Sequence, residues 1–315
     1  MSRLLRIAVS LALLLGVAWL LDTGDIARRL TNLRVGWVLL ALAISIPQVA
    51  VSAYRWRFTA KRLGIDLPFS EAVREYYLAV FLNQVLPGGV MGDVSRAWRH
   101  ARVESGPVVR AVVLERASGQ VVMVAAAVGS LLILPTTSGL DPRLAFGGAA
   151  IATAAIAIGL FLAPRTMSRT VWRDVRQTLL GPDVIATQML SSALAVASFI
   201  AIYVVAARAV GVTTPTSVLA PLVSPVLMSM LIPTSIAGWG VREAAAAGLW
   251  SVVGLTAEDG VAISAAYGLM VLISTLPGAL VLLSAGRDRT GYRRPGENDG
   301  SGAGSPDPGS RSPEA

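Results

Sequence analysis

Long apolar runs separated by arginine clusters constrain this chain more than any other feature. The runs lie at about residues 4–21, 36–54, 111–134, 144–163, 185–207 and 261–285, each about 18–25 residues long. At a rise of about 1.5 Å per residue, a helix of that length crosses the roughly 30 Å of hydrocarbon in a bilayer. Composition agrees. Hydrophobic residues make up 54% of the chain, charged residues 15%, and the mean hydropathy is +0.64; a soluble domain carries about 25% charge. The pattern predicts an all-α polytopic integral membrane protein. It argues against a soluble enzyme, a DNA-binding domain and a disordered chain. The run at 4–21 follows Arg3 and Arg6 as in a signal peptide, but no clean cleavage site follows it, so it is read as a retained span.

Several chemistries are missing. The chain has no cysteine and a single histidine, His100. Disulfides, thiolate metal sites and cysteine nucleophiles are excluded, and a multi-histidine metal centre has no ligands to use. Walker A, GxSxG and DxD-like signatures are absent too, so the expectation is no metal, no cofactor and no enzymatic activity. Basic residues outnumber acidic ones 27 to 19. No basic domain stands apart from the apolar runs, so the excess reads as loops facing anionic lipid rather than nucleic-acid binding.

Arginine placement orients the runs. Residues 55–62, 96–110 and 165–176, and the stretch after the last run, each carry several basic residues and are expected in the cytoplasm with both termini. Residues 135–143, 208–216 and 255–260 are poor in basic residues and are expected outside. Residues 22–35 must join them despite Arg28, Arg29 and Arg34. The implied location is a bacterial cell (inner) membrane. From about residue 287 to 315 a Gly/Pro/Ser-rich tail is expected to be disordered and cytoplasmic.

Two further apolar regions, about 68–92 and 217–254, are broken by proline and glycine: Pro87, Gly88 and Gly92 in the first, Pro233, Gly238 and Gly240 in the second. A helix entering either should stop near the proline. The orientation makes each region return to the side it left. The expected architecture is therefore about six full spans plus two re-entrant hairpins of opposite polarity. In both, a glycine follows the proline by five positions and an arginine, Arg96 or Arg242, by nine; the two sets lie 146 residues apart. Three crossings per half is an odd number, so the second half (139–286) is an inverted copy of the first (1–138), together forming one transmembrane domain over 1–286.

Broken helices leave bare backbone groups, which survive at membrane depth only inside protein or beside a watery cavity. Half-helix N-termini and the two arginines suit an anion, most naturally a phosphate, which guanidinium holds with paired hydrogen bonds. Asn83, Asp93, Glu115, Arg116 and Glu243 complete the candidate substrate-binding set. Charges at a helix centre cost about 2.5–3.5 kcal/mol each, so their retention needs a reason. Two compatible ones stand open: Asp93–Arg96 and Arg242–Glu243 as structural ion pairs, or the same groups as ligands. Trp19, Trp37, Trp56, Trp98, Trp172 and Trp239 read as interfacial anchors.

FLNQVLPGGVMGDVSRAW, VVLERASG and LIPTSIAGWGVREAA occur in that order. They resemble the three motifs of the lysylphosphatidylglycerol synthase transmembrane-region family, also called flippase-like, over roughly residues 5–285. The matching positions are Asn83, Leu86, Pro87, Gly92, Asp93 and Arg96; Glu115 and Arg116; and Ile232, Pro233, Gly238, Gly240, Arg242 and Glu243. That family includes the membrane half of the multiple peptide resistance factor, which moves aminoacylated phosphatidylglycerol between leaflets. The resemblance covers only the membrane part of the bifunctional members, so a stand-alone member without their soluble aminoacyl-transferase domain is expected. The resemblance implies translocation or binding of a phospholipid or a polyprenyl-phosphate lipid, and does not support lysyl transfer. The alternative is a non-transporting membrane partner of an envelope glycosyltransferase or cell-envelope assembly enzyme.

Overall fold

The computed structural model describes residues 15–16, 19, 23–86, 89–100, 105–138, 141–150, 153–154, 167–231 and 238–287. Among these, every regular element is a helix: α1 Thr23–Thr31, α2 Val35–Arg62, α3 Phe69–Val85, α4 Met91–His100, α5 Ser105–Ser138, α6 Arg169–Val175, α7 Ile185–Ala209, α8 Thr216–Met228, α9 Val241–Val252, α10 Ala257–Ser274 and α11 Leu276–Arg287. A π turn, Arg176–Leu180, continues α6, and a 3-10 turn, Ser229–Leu231, continues α8. Residues 142–150 are also helical. Four stretches are long and apolar enough to cross a membrane: Val35–Arg62, Gly106–Thr136, Ile185–Ala209 and Ala257–Leu283. Most of the expected spans 4–21 and 144–163, the tail beyond Arg287, and Pro87, Gly88 and Pro233 lie outside the described residues.

Three expectations change. The helix from residue 35 does not stop at 54. It runs to Arg62, because Arg55 turns inward to buried partners and Arg57 donates to the Leu67 carbonyl at 3.0 Å. Arg96 and Arg99 are not in a loop but on α4, each ion-paired to a neighbouring helix. The run at 261–285 is two helices. Pro277 has no N–H for the ladder, and Gly278 bonds back to the Thr275 carbonyl at 2.8 Å.

The centre of the molecule is α2 packed on α7. They run antiparallel: Arg34 N–H donates to the Ala209 carbonyl at 3.2 Å, Gln188 donates to Thr59 Oγ1 at 3.0 Å, and Arg62 pairs with Asp183. Ala41, Ala53, Ala206 and Ala207 are almost wholly buried, and such small residues let helix backbones approach closely where lipid supplies no hydrophobic drive. The remaining packing is balanced about this pair. Helix α5 lies on α8 and α11 on α3; α5 also touches α7, and α10 touches α2; α4 packs on α5, and α9 on α10. Interchanging the two halves of the chain maps each contact onto its counterpart.

Helix α4 returns along α3, with Arg99 2.9 Å from Glu75 and His100 3.9 Å from Glu71. Arg208 donates to Thr216 Oγ1 at 3.1 Å at the start of α8, and α9 brings Trp250 beside Tyr203 of α7, near that same end. The connecting segments gather at two ends of the molecule. Arg29 reaches Asp259 at 2.6 Å and Arg34 reaches Ala209, grouping residues 22–35, 208–216 and 255–260 at one end. Arg62 with Asp183 and Arg110 with Asp174, at 2.5 Å, tie the opposite end.

Candidate functional site

The first break builds a charge network from four helices. Asn83, near the end of α3, has its side-chain oxygen 2.7 Å from the Gly92 N–H, where it caps the start of α4. Its amide nitrogen donates to Asp93 Oδ2 at 3.0 Å. Gly92 is required here, because a Cβ would drive into the Ala79 carbonyl. Asp93 also accepts from Arg96 Nη2 at 2.9 Å and lies 2.5 Å from Arg116 Nη2. Arg96 has a side chain with no exposed surface; it donates on to Glu115 Oε2 at 3.1 Å and lies between the rings of Trp56 and Tyr76, 4.4 and 4.8 Å from their centroids. Arg55 closes the network from α2, donating to the Glu115 carbonyl at 2.7 Å and Ser118 Oγ at 2.9 Å, with the Glu115 carboxylate 3.4 Å away.

The second break builds a simpler version. Gly238 and Gly240 have φ of 79° and 87°, left-handed values open to glycine at little cost. Gly240 N–H donates to Glu243 Oε2 at 2.7 Å, so the carboxylate at the third helical position caps its own helix. Arg242 is fully buried and bonds Glu243 Oε1 at 2.7 Å and Ser264 Oγ at 2.9 Å, with Trp239 and Tyr267 rings 5.1 and 5.3 Å away. Ser118 and Ser264, which hold Arg55 and Arg242, are themselves 146 residues apart.

Between the two breaks lies a cavity of about 650 Å³, within the roughly 300–1,000 Å³ of ligand pockets. Its walls are mainly apolar. Asn83, Asp93 and Arg116 border it from the first half, and Gly238, Arg242 and Tyr267 from the second. The Arg116 side chain is 39% exposed, whereas Arg242 stands behind the opposite wall with one guanidinium nitrogen, Nη1, that has no hydrogen-bond partner among the described residues. Arg96, Glu115 and Glu243 do not border the cavity; they hold the groups that do. Counting Arg55, Arg96, Arg116 and Arg242 against Asp93, Glu115 and Glu243 leaves one positive charge in excess, which favours an anion.

Sequence reasoning missed Arg55, Tyr76 and Ser264, and it assigned Trp56 and Trp239 to the interface. Trp56 is 2% exposed and stacks on Arg96. The available signal was Arg55 itself, the charge that directly follows the apolar run at 36–54. Among the described residues no group of histidine, cysteine or carboxylates could hold a metal ion.

An all-helical chain with four apolar spans and a charged cavity between broken helices is a multi-pass membrane protein. The family model described as lysylphosphatidylglycerol synthase TM region matches residues 3–278, and the chain belongs to that family. Membership relates it to lipid handling. No curated protein sequence matches the chain significantly.

Proposed function

We propose that this protein is a lipid translocator that binds the phosphate head group of an anionic or polyprenyl-linked lipid in the cavity between its two broken helices. The observation that carries the reading is the cavity itself: apolar walls, an exposed guanidinium from Arg116 on one side and Arg242 on the other. The head group sits among the polar groups while the hydrocarbon chain stays in the bilayer. The antiparallel α2–α7 core and the interchangeable contacts support an inverted repeat, and the broken regions act as re-entrant hairpins from opposite faces. The arginine-rich end faces the cytoplasm of a bacterial cell. The protein acts without covalent chemistry and is not an enzyme.

The test is translocation in liposomes of phosphatidylglycerol doped with its fluorescent analogue, read by a membrane-impermeant quencher. Protein-containing vesicles are expected to lose inner-leaflet fluorescence that protein-free vesicles keep. Arg116→Gln, at a half-exposed position, is expected to slow this at least about tenfold with an unchanged melting temperature, since one charge-assisted contact is worth about 1.5–3 kcal/mol. Movement equal to protein-free vesicles for phosphatidylglycerol and for a polyprenyl phosphate favours instead a non-transporting partner of an envelope glycosyltransferase.

A further inference from the structure

The cavity already contains an anion of its own. Asp93 borders it, and its carboxylate lies 2.5 Å from Arg116, the one cavity-bordering arginine with substantial exposure. The other donors on Asp93 are Arg96 Nη2 at 2.9 Å and Asn83 Nδ2 at 3.0 Å. Two guanidiniums and an amide converging on one carboxylate are the donors a phosphate would choose. The donors that an anion would meet at Arg116 are thus already matched to a side chain. Arg116 Nε and Arg242 Nη1 meanwhile have no hydrogen-bond partner among the described residues.

We infer that Asp93 is a resident counter-ion that occupies the anion position on Arg116, and that a phosphate-bearing ligand enters by displacing it. This rests on the reading of the cavity as a phosphate site and adds how that site is loaded and emptied. A guanidinium left bare beside apolar walls would hold its ligand too tightly to release it. A carboxylate tethered within hydrogen-bond reach keeps Arg116 neutralised between ligands and competes for it when the ligand is bound. Asp93 remains anchored by Arg96 during the exchange, so it has a place to stand when it gives up Arg116. Glu115 does not join the exchange, being held by Arg96 and Arg55 and away from the cavity.

Calorimetric titration of the purified full chain with short-chain phosphatidic acid, and separately with inorganic phosphate, tests the inference. Asp93→Asn is expected to bind about tenfold tighter than wild type, because no tethered charge competes for the guanidinium. Asp93→Ser carries the same expectation without leaving an amide, and serves if Asp93→Asn is not recovered folded. Tighter binding of phosphatidic acid alone assigns the site to a lipid head group, and of both probes to phosphate in general. Equal or weaker binding in both variants, with wild-type binding still lowered by Arg116→Gln, overturns the counter-ion and leaves the phosphate site standing. Binding by no variant, or binding indifferent to Arg116→Gln, overturns both.

Discussion

The arginines of the two breaks, Arg96 and Arg242, occupy matching places in the chain and have become different objects. Arg96 belongs to a shared network: two carboxylates, Asp93 and Glu115, face three arginines, so each acid keeps a cation if one arginine is lost. Among the described residues Arg242 has a single acid, Glu243, and Glu243 has no other cation. Arg96 is set back from the cavity and Arg242 borders it. The difference teaches that the same local arrangement, an aromatic-flanked arginine after a helix break, can serve as a brace in one place and as part of a wall in the other.

The sharpest way to break the comparison is at the glycines. Gly92→Ala is expected to prevent recovery of folded protein, because the new methyl meets backbone that cannot move. Gly238→Ala meets the flexible side chain of Met230 and a strained φ, and is expected to remain folded with a lowered melting temperature. Next come the arginines. Arg242→Ala strands a buried carboxylate and is expected to cost about 3–5 kcal/mol, whereas Arg96→Ala costs less because Arg55 and Arg116 remain. Thermal unfolding checks the order. Adding Glu243→Gln to Arg242→Ala should restore much of the stability but not lipid movement; recovery of both would make the pair purely structural.

The smallest expected effect lies at the far end of the molecule. The Arg28 hydrogen bond, helped by the charge of Arg29, holds the Asp25 carboxyl below its ordinary value. A carboxylate so lowered stabilises the fold above its unfolded value of about 3.9 and stops doing so as pH falls through the folded value. Asp25→Asn should therefore lower the melting temperature slightly at pH 7, with the difference vanishing in strong acid.

Much of this was legible in the sequence, for identifiable reasons. Apolar run length located Ile185–Ala209 to within two residues, since hydrocarbon thickness sets helix length. Proline and glycine spacing located both breaks, since backbone geometry forces those residue types. What the sequence hid was long-range pairing. Arg55 looked like the start of a basic loop because its partners, Glu115 and Ser118, lie sixty positions away. Trp56 and Trp239 looked like interface anchors because nothing local says that a tryptophan will stack on an arginine. Arg116 was legible as a candidate ligand group, but its pairing with Asp93, twenty-three positions away, was not. Pro277 is a local signal that marks where the last span divides.

The account turns on whether an anionic lipid occupies the space between the two breaks. Photo-crosslinking decides this, using phosphatidic acid with a photoactivatable group beside the phosphate and peptide mapping of the adducts. The account predicts adducts on both walls, at residues 83–84, 89–94 and 113–123 on one side and 227–230 and 238–242 on the other, reduced by Arg116→Gln. Adducts confined to the lipid-facing surfaces of α2 and α7, unchanged by that substitution, would contradict it.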